Sequence, residues 1–178
     1  LISTLIICIL ALGAGMLYLA KVGWYMSAGD VFLLLSDVVL LVLFGTALSS
    51  VINFFLSSQG QISAVGTIIS AGYGFICGAY MPISQFGEGL QKVISFLPGT
   101  YGTSLLRNHA LRGVYAEMEA QQFPAEIIES IKDSIDCNLY FFGTKVPLPA
   151  MYGILCSAIV LLIGGYVLLN LLHHKATK

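Results

Sequence analysis

The sequence predicts an all-α membrane protein. Four transmembrane helices are expected, with a re-entrant helical hairpin and a small helical cap between the third and the fourth. Three observations predict it. No Asp, Glu, Lys or Arg occurs between Asp37 and Glu88, and none from Val146 to His174. The chain opens inside an apolar run, Leu1 to Ala20. Of its 178 residues, 57% are hydrophobic and only 10% are charged. About 20 apolar residues cross a bilayer once, so the charge-free stretches exceed what one crossing needs. A chain of this length has no soluble core large enough to hide them.

The first span is about residues 1–20, closed by Lys21 and the interfacial pair Trp24 and Tyr25. The second is about 31–56. In it Asp37, Gly45, Ser49 and Asn53 are expected to share one face, with Thr46 and Ser50 beside it. Asp37, Ser49 and Asn53 are the candidate substrate-path residues. A carboxylate inside a span is costly and faces a bundle interior or a water-filled cavity. The blander reading has Asp37, two turns past Asp30, reaching headgroups or an Arg. Ser57, Ser58, Gln59, Gly60 and Gln61 form a short turn.

The third span is about 62–81 and ends at Pro82. Its small residues Gly66, Ser70, Gly74 and Gly78 repeat every four positions and are expected on one helix-packing face. Packing within the chain is the plainer reading, and a subunit interface or the wall of a moving path the sharper one.

Most of the remaining charge lies in the segment from about 83 to 146. Phe86, Leu90, Val93, Ile94 and Leu97 fall at helical spacing and predict a short amphipathic helix. Pro98-Gly99 breaks it, and a second short helix is expected over Thr103–Leu111. Two such helices after a span read as a re-entrant or interfacial hairpin. Pro124 suits the first turn of a further helix, with Ile127, Ile128, Ile131 and Ile135 along one face. This is the cap. The fourth span is about 148–172. Lys175 and Lys178 in the tail favour a cytoplasmic C-terminus, so the charged segment is expected outside and the Ser57–Gln61 turn inside. Lys21 then stands against the charge rule.

Composition excludes several classes. The formal net charge of −1 lacks the basic excess of a nucleic-acid binder. Cys8, Cys77, Cys137 and Cys156 include no CxxC pair, so neither a metal site nor a disulfide framework is indicated. No GxSxG, HExxH or Walker A pattern occurs, and no catalytic, metal or cofactor residue is expected. His109, beside Arg107, reads as interfacial or structural, and His173 and His174 as tail residues. Energy for active transport must come from a partner or an ion gradient.

The run from Asn53 to Ser84 is Gly-rich and ends in Gly78-Ala-Tyr80-Met-Pro82. It is followed by Phe96-Leu-Pro98-Gly99-Thr-Tyr-Gly-Thr-Ser-Leu-Leu-Arg107-Asn-His109. This pattern resembles the permease subunits of ABC exporters of the ABC-2 type. That family shows a Gly-rich span, G-x-Y-x-P at its outer end, and an amphipathic hairpin with a Pro in its middle. The resemblance covers nearly the whole chain. It implies a six-span permease in a cell membrane, bacterial by expectation, of which these would be the third to sixth spans. The chain is then a C-terminal part that lacks the first two spans and the coupling helix.

The resemblance also implies that the hairpin from Ser84 to Gly113 covers the outer end of the path. Tyr80, Pro82, Pro98, Gly99 and Arg107 would form the outer gate. Ser57, Ser58, Gln59 and Gln61 would lie against the ATPase. It implies a second permease subunit and two separate ATPase subunits, which hold the ATP and Mg2+. The cargo class, drug, lipid, peptide or glycan, stays open. Two alternatives come from other classes: a non-transporting membrane scaffold or assembly protein, and an ion-coupled secondary transporter.

Overall fold

The computed structural model describes residues 1–176, so Lys178 of the expected basic tail lies outside it. It is mostly helical, with seven α-helices. Three of them, α1 (Ile2–Val22), α2 (Ala28–Phe54) and α7 (Leu148–Ala176), are long and apolar enough to cross a membrane.

α1 buries none of its residues within the chain. Its exposed side chains include Ile2, Ile6, Ile7, Leu10, Leu17 and Tyr18. A helix that is apolar all round and unburied by protein is a helix made for lipid or for a partner helix.

α2 starts at a capping box. Ser27 Oγ accepts from the Asp30 amide at 3.2 Å, and the Asp30 carboxylate accepts from the Ser27 amide at 2.9 Å. Two end groups are satisfied at once, and the acid sits at the positive end of the helix. At about 1.5 Å per residue the 27 residues of α2 reach about 40 Å. Inside α2, Thr46 and Ser50 turn their hydroxyls onto the carbonyls of Val42 and Thr46. These two polar side chains are therefore quenched by their own helix.

α3 (Gln59–Ile76) begins with a second capping box, Ser58 with Gln61. It is shorter than the expected third span and is not among the membrane-crossing candidates. Its end is a Schellman turn: the Ala79 amide donates to Gly74 O and the Gly78 amide to Phe75 O. Gly78 occupies the left-handed position with φ 78°, which a residue without Cβ adopts freely. Gly78 therefore terminates the helix and is not a fourth rung of the Gly66, Ser70, Gly74 ladder.

A 3-10 turn (Ile83–Gln85) and α4 (Glu88–Ile94) lead into α5 (Pro98–Ala120). Here the expectation of a short second helix over Thr103–Leu111 is corrected. Pro98 does not break a hairpin so much as open a helix of 23 residues, at a first-turn position that needs no amide hydrogen. α5 packs against both α2 and α7, which also pack on each other. It runs opposite to both. A Cβ on Gly102 would meet Leu41 and Leu155, whereas His109 meets Asp37 and Tyr152. The N-terminal half of α5 thus lies beside the apolar parts of α2 and α7.

The main core joins Phe44 of α2, Tyr101 and Leu105 of α5, and Met151, Leu155 and Ile159 of α7, with Ile83, Ile94 and Leu139 closing it at the cap side. The cap itself is α6 (Ala125–Ser134), where Ile128 packs with Tyr115 and Cys137 while Ile131 and Ile135 flank them. Ile127 points outward. One element was not expected from an all-α reading. β1 (Tyr140–Phe141) pairs antiparallel with β2 (Thr144–Lys145). Both central turn residues, Phe142 and Gly143, have positive φ, the conformation that matches strand twist in a two-residue hairpin.

Candidate functional site

One carboxylate ties the three packed helices together. Asp37 on α2 is almost completely buried, at 1% exposure. His109 Nδ1 on α5 lies 2.5 Å from its Oδ2. The Tyr152 hydroxyl on α7 donates to its Oδ1, also at 2.5 Å. The His109 and Tyr152 rings are stacked, with centroids 6.1 Å apart. Both carboxylate oxygens are therefore satisfied from different helices.

The local reasons are simple. Tyr101, Leu105 and His109 recur every four residues on α5, so His109 continues the buried stripe. A buried carboxylate without partners would cost many kcal/mol, and charge-assisted hydrogen bonds of about 1.5–3 kcal/mol each offset that. Removing one partner of such a group costs about 3–5 kcal/mol, because the other charge is left stranded.

This arrangement corrects the interfacial reading of His109, which is 5% exposed and inside the bundle. It also corrects the blander reading of Asp37, whose partners are neither headgroups nor an Arg. Nor does Asp37 share a face with Ser49. Each helical residue turns about 100°, so twelve residues carry Ser49 about a third of a turn away. Gly45, Thr46 and Ser49 instead line a groove of about 530 Å3 beside Thr4 and Cys8 of α1. Asn53 is exposed further along.

A second knot forms where α3 ends. Arg107 Nη1 lies 3.3 Å from Asp136 Oδ2, and its Nη2 donates to Gly78 O. Asp136 also accepts from the amides of Ile83 at 2.7 Å and Ser84 at 3.4 Å. Burial pushes the Asp136 carboxyl above its ordinary value, while those amides and Arg107 pull it down. Ser104 and Asn108 donate to Cys137 O at 3.1 and 2.6 Å and hold the cap on α5. Burial also pushes the Cys137 thiol up. On the outer side of the cap, Glu129 pairs with Lys145 at 2.9 Å and Lys132 at 3.0 Å. These lysines hold its carboxyl down at about 2.

The remaining predicted residues are placed as follows. Tyr80 is exposed, its ring 5.0 Å from that of Phe75 and lying over Gly74. Pro82 leads into the 3-10 turn. Gly99 is buried, with its amide donating to the Tyr73 hydroxyl at 3.3 Å. A Cβ there would strike the Tyr73 ring at 2.5 Å, so Pro98-Gly99 is where α5 meets α3. Gly66 faces open space and Ser70 is exposed. Ser57, Ser58, Gln59 and Gln61 are exposed, and Gln61 Oε1 accepts from the amides of Ser57 and Ser58.

Sequence reasoning missed Tyr152 and Asp136. For Tyr152 the signal was a lone polar tip in the first turns of an apolar helix. For Asp136 there was none, because its partners are set by the chain path. The four cysteines are free. Compared with protein-family models, with curated proteins and with solved structures, the chain finds no match in any of the three.

Proposed function

We propose that this chain is the membrane-spanning part of an ATP-driven exporter of the ABC-2 type. In this reading α3 is the third of four spans, and α4 with α5 forms the family's re-entrant pair on the outer side. One observation carries it. The Gly-rich helix is closed by Gly78, Tyr80 and Pro82, and the next two helices meet at Pro98, with the second slotted between α2 and α7. Gly78 and Arg107, both from the family-like motifs, are hydrogen-bonded to each other, and Asp136 pairs with the same Arg107. A separate ATPase binds ATP and Mg2+, and its closure switches the permease from inward-open to outward-open. The exposed Ser57–Gln61 turn faces that ATPase, and a second permease subunit completes the path.

The test is purification of the whole protein from its native membranes, with its partners identified by mass spectrometry. An ATPase carrying a Walker A motif is expected in stoichiometric amount. A preparation that reproducibly contains none sinks the proposal.

The Asp37–His109–Tyr152 group favours a second reading, ion-coupled secondary transport. Ionisable residues inside a bundle mark proton relays in such proteins. Proton flux into liposomes that hold the protein and no ATPase is expected on the second reading and absent on the first.

A further inference from the structure

The turn between α1 and α2 carries Trp24 and Tyr25, both exposed. It joins two helices long and apolar enough to cross a membrane. It therefore stands at a membrane–water interface, where such rings settle. α5 brings Arg112 against this turn, and a cavity of about 490 Å3 opens between them, also lined by Asp30 and Glu117. Along α1 lies an apolar slot of about 320 Å3, walled by Leu12, Met16 and Leu19 of α1, Leu34 of α2 and Ala110 of α5. Arg107, the one charged residue lining it, is already paired with Asp136. Met26 of the slot follows Tyr25 in the chain, and Ala110 stands one helical turn before Gly113 of the cavity, so the two adjoin. Further along α1, the slot shares Leu106 with the groove of about 530 Å3 beside Thr4 and Cys8.

We propose that this slot and cavity hold one resident phospholipid with a zwitterionic, ammonium-bearing headgroup. An acyl chain lies along α1, the phosphate sits on Arg112, and the ammonium sits at Glu117. The slot is bounded by two membrane-crossing helices, so hydrocarbon is its natural filling. The mouth supplies what a headgroup needs. The Arg112 side chain is 65% exposed, and its only charged partner among the described residues is Asp30, 3.4 Å away. Asp30 Oδ2 is held by the Ser27 amide and hydroxyl at 2.9 and 2.7 Å, whereas Oδ1 is buried and makes no hydrogen bond. Asp30 thus fixes the guanidinium by charge and leaves its donors unspent. A guanidinium fork suits phosphate oxygens.

The charge balance selects the headgroup. Two carboxylates, Asp30 and Glu117, face one guanidinium in the cavity. Glu117 accepts from the Gln121 side-chain amide at 2.9 Å and has no cationic partner among the described residues. Lys21 is exposed in the last turn of α1 but does not line the cavity. An anionic lipid answers Arg112 and leaves Glu117 repelled, whereas a zwitterionic one answers both. A partner helix would fill the slot but bring no anion to Arg112. Apolar slot followed by charged mouth is the polarity order of a lipid. The inference rests on neither transport reading.

The experiment is native mass spectrometry of the whole protein in mild detergent, titrated with phosphatidylethanolamine or phosphatidylglycerol. One phosphatidylethanolamine is expected to bind several-fold more tightly than phosphatidylglycerol. Arg112→Gln should weaken that binding by on the order of tenfold or more, and Glu117→Gln should erase the preference between the two lipids. Gly15 lines the slot, and a Cβ there meets nothing within 4 Å. Gly15→Leu should therefore crowd out the acyl chain without disturbing the fold, and it decides the matter where Arg112→Gln does not fold. Gly13→Leu, on the same helix but outside the slot, is the control and should bind lipid as the native chain does. The proposal is overturned if Gly15→Leu binds lipid like the control, or if a folded Arg112→Gln does. It is overturned too if phosphatidylglycerol binds as tightly in the native chain. Displacement of the lipid by water-soluble glycerophosphoethanolamine at equal concentration would also overturn it, because the site would then be one for a free phosphate ester.

Discussion

Gly113→Ala tests the placement of α5, on which the buried site depends. A methyl group on Gly113 would sit 1.7 Å from the Tyr25 carbonyl oxygen and 3.2 Å from the Met26 amide nitrogen. Carbon–oxygen contacts settle near about 3.3 Å, so the two backbones must part by about 1.5 Å. Neither side is a flexible side chain that swings away. Alanine gains about 1 kcal/mol in helix propensity over glycine. Overpacking costs about 1–3 kcal/mol and occasionally more, and a backbone-on-backbone clash belongs at or beyond the upper end. The clash wins, with a net loss of about 2 kcal/mol. For a chain of this size, that lowers Tm by roughly 4–8 °C. Trp24 is the only tryptophan and adjoins the strained turn, so its fluorescence reports thermal unfolding in lipid nanodiscs. Gly164→Ala is the control, since its added methyl group meets nothing within 4 Å. It should leave Tm unchanged or slightly raised. If Gly113→Ala melts with the control, α5 does not lie against the turn between α1 and α2, and the reasoning fails.

Other perturbations follow from the same geometry. Gly78→Ala places a Cβ in the left-handed region, which costs about 1–2 kcal/mol, and sets it 3.0 Å from Ile83 and 3.1 Å from Asp136. The same melting assay should show a loss, and an unchanged Tm would contradict the Schellman end of α3. Glu129 is a carboxyl held below its ordinary value, so the stability it lends the cap is present above about pH 4.5 and fades as pH falls toward about 2. Amide exchange over residues 125–145, corrected for intrinsic rates, should show that acid loosening in the native chain and much less of it in Glu129→Gln. Equal loosening in both would remove Glu129 from the account. Under the exporter reading, cysteine at Ser58 or Gln59 crosslinks to the ATPase, whereas labelling of either by an impermeant reagent from outside intact cells refutes the topology.

The apolar helices were legible because lipid imposes its demand on every face. α1, α2 and α7 needed no knowledge of partners, only length and the absence of charge. The cap helix was legible through Ile128 and Ile131, which repeat at helical spacing against a core. α5 was read too short for the opposite reason. Its first turns, Gly99, Thr100, Gly102 and Ser104, are small and polar, yet they are buried by α2, α3 and α7. No local pattern marks a helix whose apolar surroundings come from elsewhere in the chain. Likewise the end of α3 turned on Gly78, where a small residue serves equally well as a packing rung or as a helix terminator until the chain path is known.

By itself the sequence determined that this chain is a helical membrane protein, and that Asp37 is a carboxylate in an apolar stretch that must find partners. Only the tertiary structure decided who those partners are. His109 lies 72 residues away and Tyr152 115 residues away, and neither separation leaves a trace in local periodicity. The cost of an unpaired buried charge guarantees that partners exist. The packing of α5 between α2 and α7 selects them.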